Sequence, residues 1–404
     1  MRQATRFAFL GGSVLLATAC TDPSSPLAPP VPSASIQAAR GDTIPGSYII
    51  VLRSDSAPSA AATTRHVNRL LAIAGGRLHF VYDALHGYAV DGISVAGVDK
   101  VRADPAVAYV EPDMVVHPDN AQSDPGIGLD RIDQHYLPLD STFTYAGSYD
   151  GSGVNVYIID SGVDTTGGEF AGRIGVGKTC VQGDAYANND GFGHGTAVAS
   201  VAAGTTFGVA KSATIHSVRI SIGFGGYSQT SIQTCGINWV ASYGVRPAVA
   251  NMSFGGIPSA FAVRDAINNV TGAGIPFVKS AGNDSANAYL DRGNRANLEL
   301  VVGATDPTND TYASFSDSGS TINIWAPGVQ VSMADQFNPG YGKKANGTSF
   351  SAPYVSGFIA ALLSKYPTMS SSAVYSQVLN GSTQNVIVGL PSGNNNRLLY
   401  AVVP

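Results

Sequence analysis

Three short segments of this 404-residue chain carry side chains that can do chemistry together. Tyr157-Ile-Ile-Asp160-Ser-Gly offers a carboxylate, Gly193-His194-Gly-Thr196 an imidazole, and Gly347-Thr-Ser349-Phe-Ser-Ala-Pro353 a hydroxyl. A carboxylate can hold an imidazole in one tautomer, the imidazole can take a proton from a hydroxyl, and the freed oxygen can attack a carbonyl carbon. Taken singly, each has a plainer reading: Asp160 as a turn or cap residue, His194 as a structural histidine, Ser349 as a helix N-cap. The nucleophilic reading needs three independent contexts to agree in order and spacing, and they do. The order Asp, His, Ser is one of three unrelated orders known for such triads.

Each group needs an element to position it. Val154-Asn-Val-Tyr-Ile-Ile159 is an apolar, β-branched run that fits a buried parallel strand. Asp160 sits at its carboxyl end, where active sites of open α/β sheets gather. Thr196-Ala-Val-Ala-Ser-Val-Ala-Ala203 is nearly all small and suits a closely packed helix. Gly193 and Gly195 leave room around His194, a frame that none of the other six histidines has. Asn346-Gly-Thr348 reads as a turn, followed by a helix with Val355, Ile359 and Leu363 at fourfold spacing and Pro353 expected in its first turn. Ser349 then lies at a helix N-terminus, where free N–H groups and the dipole favour the oxyanion of a tetrahedral intermediate.

Together these segments resemble the subtilisin-like serine proteases, in the proteinase K-like branch, from about Gly41 to the C-terminus. The resemblance implies an α/β fold: a doubly wound parallel sheet with helices on both faces, plus a small α+β, ferredoxin-like prodomain. It implies a serine endopeptidase in which Asp160 orients, His194 is general base and then acid, and Ser349 attacks. After the expected strand Ile275-Pro-Phe-Val278 comes Ser280-Ala281-Gly282-Asn283. In this family the Asn of such a segment donates its amide to the oxyanion; alternatively Asn283 is a turn residue. Ala250-Asn-Met-Ser253-Phe254-Gly255-Gly256 resembles the wall of the primary specificity pocket, with Ser280, Ala281 and Gly282 beside it. Gly225-Gly226-Tyr227 resembles the opposite edge, with an extended substrate added as a strand between the two. No charge near Ser253 or Ser280 demands a charged partner, so an apolar or aromatic preference is expected. Rival readings are a peptide-binding pseudoenzyme and acyl transfer to an amine; a His-Glu-x-x-His metalloprotease run is missing.

The rest of the chain sets the context. Apolar residues make up 44% and the formal net charge is −5, so there is no basic nucleic-acid footprint. Arg2 and Arg6 precede the short apolar run Phe7–Ala17, which reads as an export signal over residues 1–20. Leu16-Ala-Thr-Ala-Cys20 resembles a lipoprotein cleavage box, with Ala17 where a large aliphatic is usual, so lipidation of Cys20 stands beside an ordinary signal cut. A lipid there is the one expected route to a membrane; otherwise the product is secreted. Residues 21–40 read as a disordered spacer. In an exported chain, Cys180 and Cys235 suggest one disulfide.

Residues 41–117 read as β-α-β-β-α-β. This module resembles the inhibitory propeptide of the family, whose last strand and tail would occupy the cleft. Gly128-Leu-Asp-Arg-Ile-Asp-Gln134 resembles the start of the mature enzyme. Self-cleavage is therefore expected between about His117 and Gly126, within a linker at 118–127, leaving residues 128–404 as the peptidase. Expected partners are peptide and protein substrates and the chain's own propeptide, on a monomer. No cofactor is expected for catalysis. The family's common calcium site looks weakened, because Asn323 stands where relatives often have Asp and Tyr289–Arg295 lacks the usual Ser-Pro-Ala segment.

Overall fold

The computed structural model describes residues 43–53, 59–114, 121–144, 149–221, 226–254, 260–287, 298–338 and 342–404. The chain divides into two compact units, Met1–Val116 and His117–Pro404. Cys20, Gly225, Gly255 and the loop Tyr289–Arg295 lie outside the described residues.

The first unit runs β1 (Thr43–Leu52), α1 (Ala60–Ala74), β2 (Arg77–Tyr82), β3 (Gly87–Asp91), α2 (Val95–Arg102), β4 (Val107–Met114). Ser59 and Ser94 cap the helices by accepting from Ala62 N and Gly97 N. The sheet order is β2-β3-β1-β4, all antiparallel, with Tyr48 opposite Val90 on one side and Pro112 on the other. Ile50, Leu52, Tyr88 and Val90 meet Val67, Leu70, Val98 and Val101 of the helices in a core of their own.

The second unit opens with β5 (Ala121–Ser123), α3 (Ile127–Ile132) and β6 (Thr142–Thr144). Its body runs β7 (Asn155–Asp160), β8 (Lys178–Thr179), α4 (His194–Ala203), β9 (Thr214–Arg219), α5 (Thr230–Tyr243), β10 (Ala248–Met252), α6 (Phe261–Gly272), β11 (Phe277–Ser280) and β12 (Glu299–Asp306). It closes with β13 (Thr311–Tyr312), β14 (Ile324–Pro327), the hairpin β15 (Val331–Ala334) and β16 (Gly342–Ala345), α7 (Thr348–Lys365), α8 (Ser371–Gly381), β17 (Thr383–Gln384) and β18 (Arg397–Leu398). The main sheet has the order β17-β18-β14-β12-β11-β10-β7-β9-β8, parallel from β8 through β18.

The period-2 alternation of β7 explains why helices cover both faces. Val156 and Ile158 point to a core shared with Val198 and Val201 of α4 and Val355 and Ile359 of α7. Tyr157 and Ile159 point to the opposite core, shared with Ile237 and Val240 of α5 and Val263 and Ile267 of α6. After β7 the chain adds β9 on one side and then returns to place β10 on the other. The carboxyl end of β7, Asp160, is thus a point where the strand order reverses, the place such sheets keep for their sites.

Several bounds differ from the sequence expectation. The segment expected as a linker at 118–127 contains β5, which pairs antiparallel with β6. The base-bearing helix begins at His194 itself rather than at Thr196, and β11 runs to Ser280 rather than stopping at Val278. Pro353 lies in the second turn of α7, not the first. A proline there removes the helix bond to the carbonyl four residues earlier, that of Ser349. The hydroxyl of Ser253 supplies it instead, donating to Ser349 O at 2.8 Å.

Cys180 and Cys235 are bonded, tying the start of the loop before α4 to helix α5 across 55 residues of sequence. Closing a loop of that length limits the unfolded chain, typically by about 2–4 kcal/mol. The double variant Cys180→Ser/Cys235→Ser is expected to lose that much in denaturant unfolding. An unfolding midpoint equal to that of the oxidised wild type would contradict this.

Candidate active site

Asp160 ends β7 fully buried, and its Oδ1 lies 2.8 Å from His194 Nδ1. The same oxygen accepts Ser161 N at 2.7 Å. His194 is the first residue of α4, with its side chain 20% exposed. Two glycines make that placement possible. Gly193 takes φ +83°, and a Cβ on Gly195 would come within 2.1 Å of Gly162 O. Burial of the ring works against the imidazolium, but the Asp160 charge and hydrogen bond, with a smaller contribution from Asp190, outweigh it. The His194 pKa is held above its ordinary value.

Ser349 is the second residue of α7, and its hydroxyl donates to Ser253 O at 3.3 Å. The ring of the next residue, Phe350, lies 5.7 Å from the His194 ring, so the start of α7 packs against the imidazole. Phe254 meets the same imidazole edge-on at 6.2 Å. A buried chain of hydrogen bonds underlies α7: Ser356 Oγ donates to Asn251 Oδ1 at 2.8 Å, and Asn251 Nδ2 to Ser253 Oγ at 3.0 Å. Ser253 therefore spends its side chain on the Ser349 carbonyl. Toward a substrate it has only backbone to offer.

Asn283 follows the end of β11 and is exposed. Its Oδ1 accepts Thr348 N at 2.8 Å and lies 2.9 Å from Thr348 Oγ1. Those contacts fix the flip of the amide, so Nδ2 points away from Thr348. Thr348 N is held by Asn283 and Phe350 N by Gly347 O, and the Ser349 N–H stands between them in the first turn of α7, where N–H groups have no partner within the helix. Ser280 is buried, and Gly282 N bonds to Thr348 Oγ1 at 3.2 Å. Asp317 Oδ1 holds the loop beyond by accepting Asp284 N and Ala286 N. Ala281 N is tied to Val302 O. Gly226 has φ +68° and lies against the Phe192 ring, while Tyr227 is 76% exposed. The structure thus gathers Asp160, His194, Ser349, Asn283, Ser253 and Phe254 around one place.

Asp190, Ser161, Asn251 and Thr348 also shape this place, although only the motif residues beside them stood out in the sequence. Among the described residues, no group of three or more His, Cys, Asp or Glu could hold a metal ion. Also among them, no helix is long and apolar enough to cross a membrane.

A profile of the subtilase family matches residues 151–397. The chain belongs to the subtilase family. It is 36% identical over 406 residues to an extracellular serine proteinase of Thermus sp., covering 96% of this chain and 97% of that protein. It is 34% identical to alkaline serine exoprotease A of Vibrio alginolyticus, covering 88% of this chain and 67% of that protein. A crystal structure of a cold-adapted subtilisin-like serine proteinase superimposes with a TM-score of 0.64 at 35% identity, covering 70% of this chain and all of that one. With the fold and the family, this subtilase is a serine endopeptidase acting on peptides and proteins, and it needs no cofactor for catalysis.

Proposed function

We propose that this subtilase is exported as a precursor, cuts itself free of its N-terminal unit, and hydrolyses peptide bonds through an acyl-enzyme on Ser349. The observation that carries this reading is the 2.8 Å Asp160–His194 pair, set at a strand-order reversal beside the N-terminus of the Ser349 helix. His194 takes the Ser349 proton as the oxygen attacks, then returns it to the leaving amine. The imidazolium formed between these steps is stabilised by Asp160. The 3.3 Å contact of Ser349 Oγ to Ser253 O is long, so the hydroxyl turns to the imidazole at little cost when substrate arrives. The Ser349 N–H and Asn283 Nδ2 receive the oxyanion. Segments 225–227 and 253–255 receive the substrate strand, and Ser280, Ala281 and Gly282 back the side-chain pocket.

Removing one oxyanion donor costs about 100- to 1,000-fold in turnover, a magnitude measured on subtilisin, a member of this family. Asn283→Ala is expected to lose that much kcat with little change in KM. A loss under tenfold would take Asn283 out of the oxyanion site.

The propeptide reading covers residues 41–117, in the proteinase K-like branch. Its support is a first unit with its own core, a unit boundary at 116/117, and a solved relative whose whole chain spans 70% of this one. The pairing of β5 with β6 favours a cut on the amino side of Ala121, within the 117–126 span. Export rests on Arg2, Arg6 and the apolar run after them, and on an extracellular relative. A lipid on Cys20 is the one membrane attachment this reading admits, and the enzyme works as a monomer. Asn323 fits calcium poorly: it lacks the carboxylate that calcium favours, and its Oδ1 is engaged by Val301 N at 2.8 Å.

The test is a phosphonylating serine reagent applied to the matured protein. One adduct on the peptide holding Ser349, with loss of peptide hydrolysis, is expected. An adduct elsewhere, or hydrolysis that survives full labelling of Ser349, would overturn the assignment.

A further inference from the structure

The loop before α4 holds a second carboxylate, Asp190, only 6% exposed, that the mechanism above does not use. Its Oδ1 accepts Ser161 Oγ at 2.8 Å, Gly193 N at 2.8 Å and Phe192 N at 3.2 Å. Its Oδ2 accepts Thr196 N at 2.9 Å and Thr196 Oγ1 at 2.5 Å. These donors flank His194 on both sides in sequence. The bridge closes through Ser161, which follows Asp160: its Oγ also accepts Gly195 N at 2.9 Å. From the hairpin side, Gln336 Nε2 donates to Asp190 O at 2.5 Å. We propose that Asp190 is a positioning residue, which with Ser161 locks the first turn of α4 to the end of β7 and so sets the His194 ring against Asp160.

The geometry has a physical rationale. Gly193 and Gly195 give the imidazole space, but two glycines also give the backbone freedom to wander. The N–H groups of Gly193, Gly195 and Thr196 belong to the orphan donors of a helix start, and no side chain at the N-cap itself takes them. Asp190 and Ser161 take all three. A carboxylate at that helix end also meets the positive pole of the dipole, and it is held by five donors in place of water. The ring is thereby fixed through its own backbone, before substrate binds.

The same carboxylate contributes to the charge field of the imidazole. The charged groups facing His194 are Asp160 on β7, Asp190 on the loop and Lys343 on β16; the two carboxylates favour the imidazolium and the lysine opposes it. Phe192, Phe254 and Phe350 bring no charge. Arg219 Nη1 donates to Asn189 O at 2.6 Å, one residue from Asp190, and its charge is engaged by Asp184.

The proposal rests on His194 being the base, so the test separates the two. Asp190→Asn, Asp190→Glu, Ser161→Ala and His194→Ala are compared with wild type in kcat/KM from pH 5 to 10, normalised to titrated active sites. Far-ultraviolet circular dichroism reports folding. Asp190→Asn keeps the size but cannot accept from Thr196 with an amide nitrogen. It is expected to lose about 10- to 100-fold in kcat/KM, and its acid limb is expected to move down by roughly half a unit or more, because one anion near the imidazolium is gone. Asp190→Glu keeps the charge but misplaces it, so the rate falls while the acid limb stays near that of wild type. If Asp190→Asn does not fold, Ser161→Ala carries the test through its smaller rate loss. A folded Asp190→Asn with wild-type rate and acid limb, or an unaltered Ser161→Ala where Asp190→Asn fails to fold, overturns the proposal. Activity retained by His194→Ala overturns the base assignment on which it stands.

Discussion

Precursor carrying Ser349→Ala is expected to stay uncut and to hydrolyse peptides about a million-fold more slowly than wild type. Members of a triad act as a unit, and loss of the nucleophile in subtilisin costs about 2 × 10⁶ in turnover. The substitution should leave the fold alone. It removes one hydroxyl whose recorded contact is a 3.3 Å bond to Ser253 O. The Ser349 carbonyl keeps its donor, Ser253 Oγ, and Asn283 keeps its hold on Thr348. A residual rate of about 10³ to 10⁴ over water should remain, because oxyanion donors and substrate contacts survive. Intact masses and N-terminal sequences of the two purified precursors read the first expectation. Cutting of wild type alone between His117 and Gly126 assigns the processing to Ser349. Equal cutting of both assigns it to a host protease, and a wild type that folds yet stays whole denies self-processing altogether.

How much of this was legible beforehand depends on how far apart the partners lie. Local chemistry read well. The helix Ala60–Ala74 and the strand Arg77–Tyr82 are the first helix and second strand of the β-α-β-β-α-β order expected for residues 41–117. Asp160 at a strand end, His194 between glycines and Ser349 at a helix start were visible because each signal is contained in a few residues. Asp190 was not. In Asn188-Asn-Asp-Gly it reads as an ordinary turn residue, and its identity as a helix clamp depends on Ser161, which the fold returns from 29 positions away. Pro353 shows the same limit. Its ring breaks a bond to Ser349 O, and the repair comes from Ser253 on a different segment, 96 residues earlier. Periodicity could place the helix but not that donor. Asn283 was singled out by resemblance, whereas the contact that orients its amide, with the Thr348 N–H, emerged only from the packing of two segments 65 residues apart.

Arg131 is the strongest case of a residue whose role the sequence conceals, and it carries the largest stability effect expected here. It stood out only as part of Gly128–Gln134, and arginine is normally found at the surface. In the structure it is fully buried. Its Nε and Nη2 grip Asp310 at 2.6 and 2.9 Å, while Nη1 and Nη2 donate to Gln134 O and His135 O at 2.7 and 3.2 Å. The planar fork thus satisfies a carboxylate and two carbonyls at once, which a lysine could not do. Arg131→Met would leave Asp310 buried without its cation, and breaking such a pair costs about 3–5 kcal/mol. Asp310 sits at φ +58°, a conformation asparagine tolerates, so Arg131→Met/Asp310→Asn removes the stranded charge without new backbone strain and should recover part of the loss. Salt should change neither value much, because a buried pair is poorly screened. Denaturant unfolding in a Ser349→Ala background, where self-digestion cannot mix with unfolding, reads both variants. A loss below 1 kcal/mol for Arg131→Met would mean that the pair contributes no more than a surface salt bridge. The expected loss would instead identify the first helix of the peptidase unit as clamped to the turn after β12 by one side chain, far from the chemistry and without effect on the turnover of molecules that remain folded.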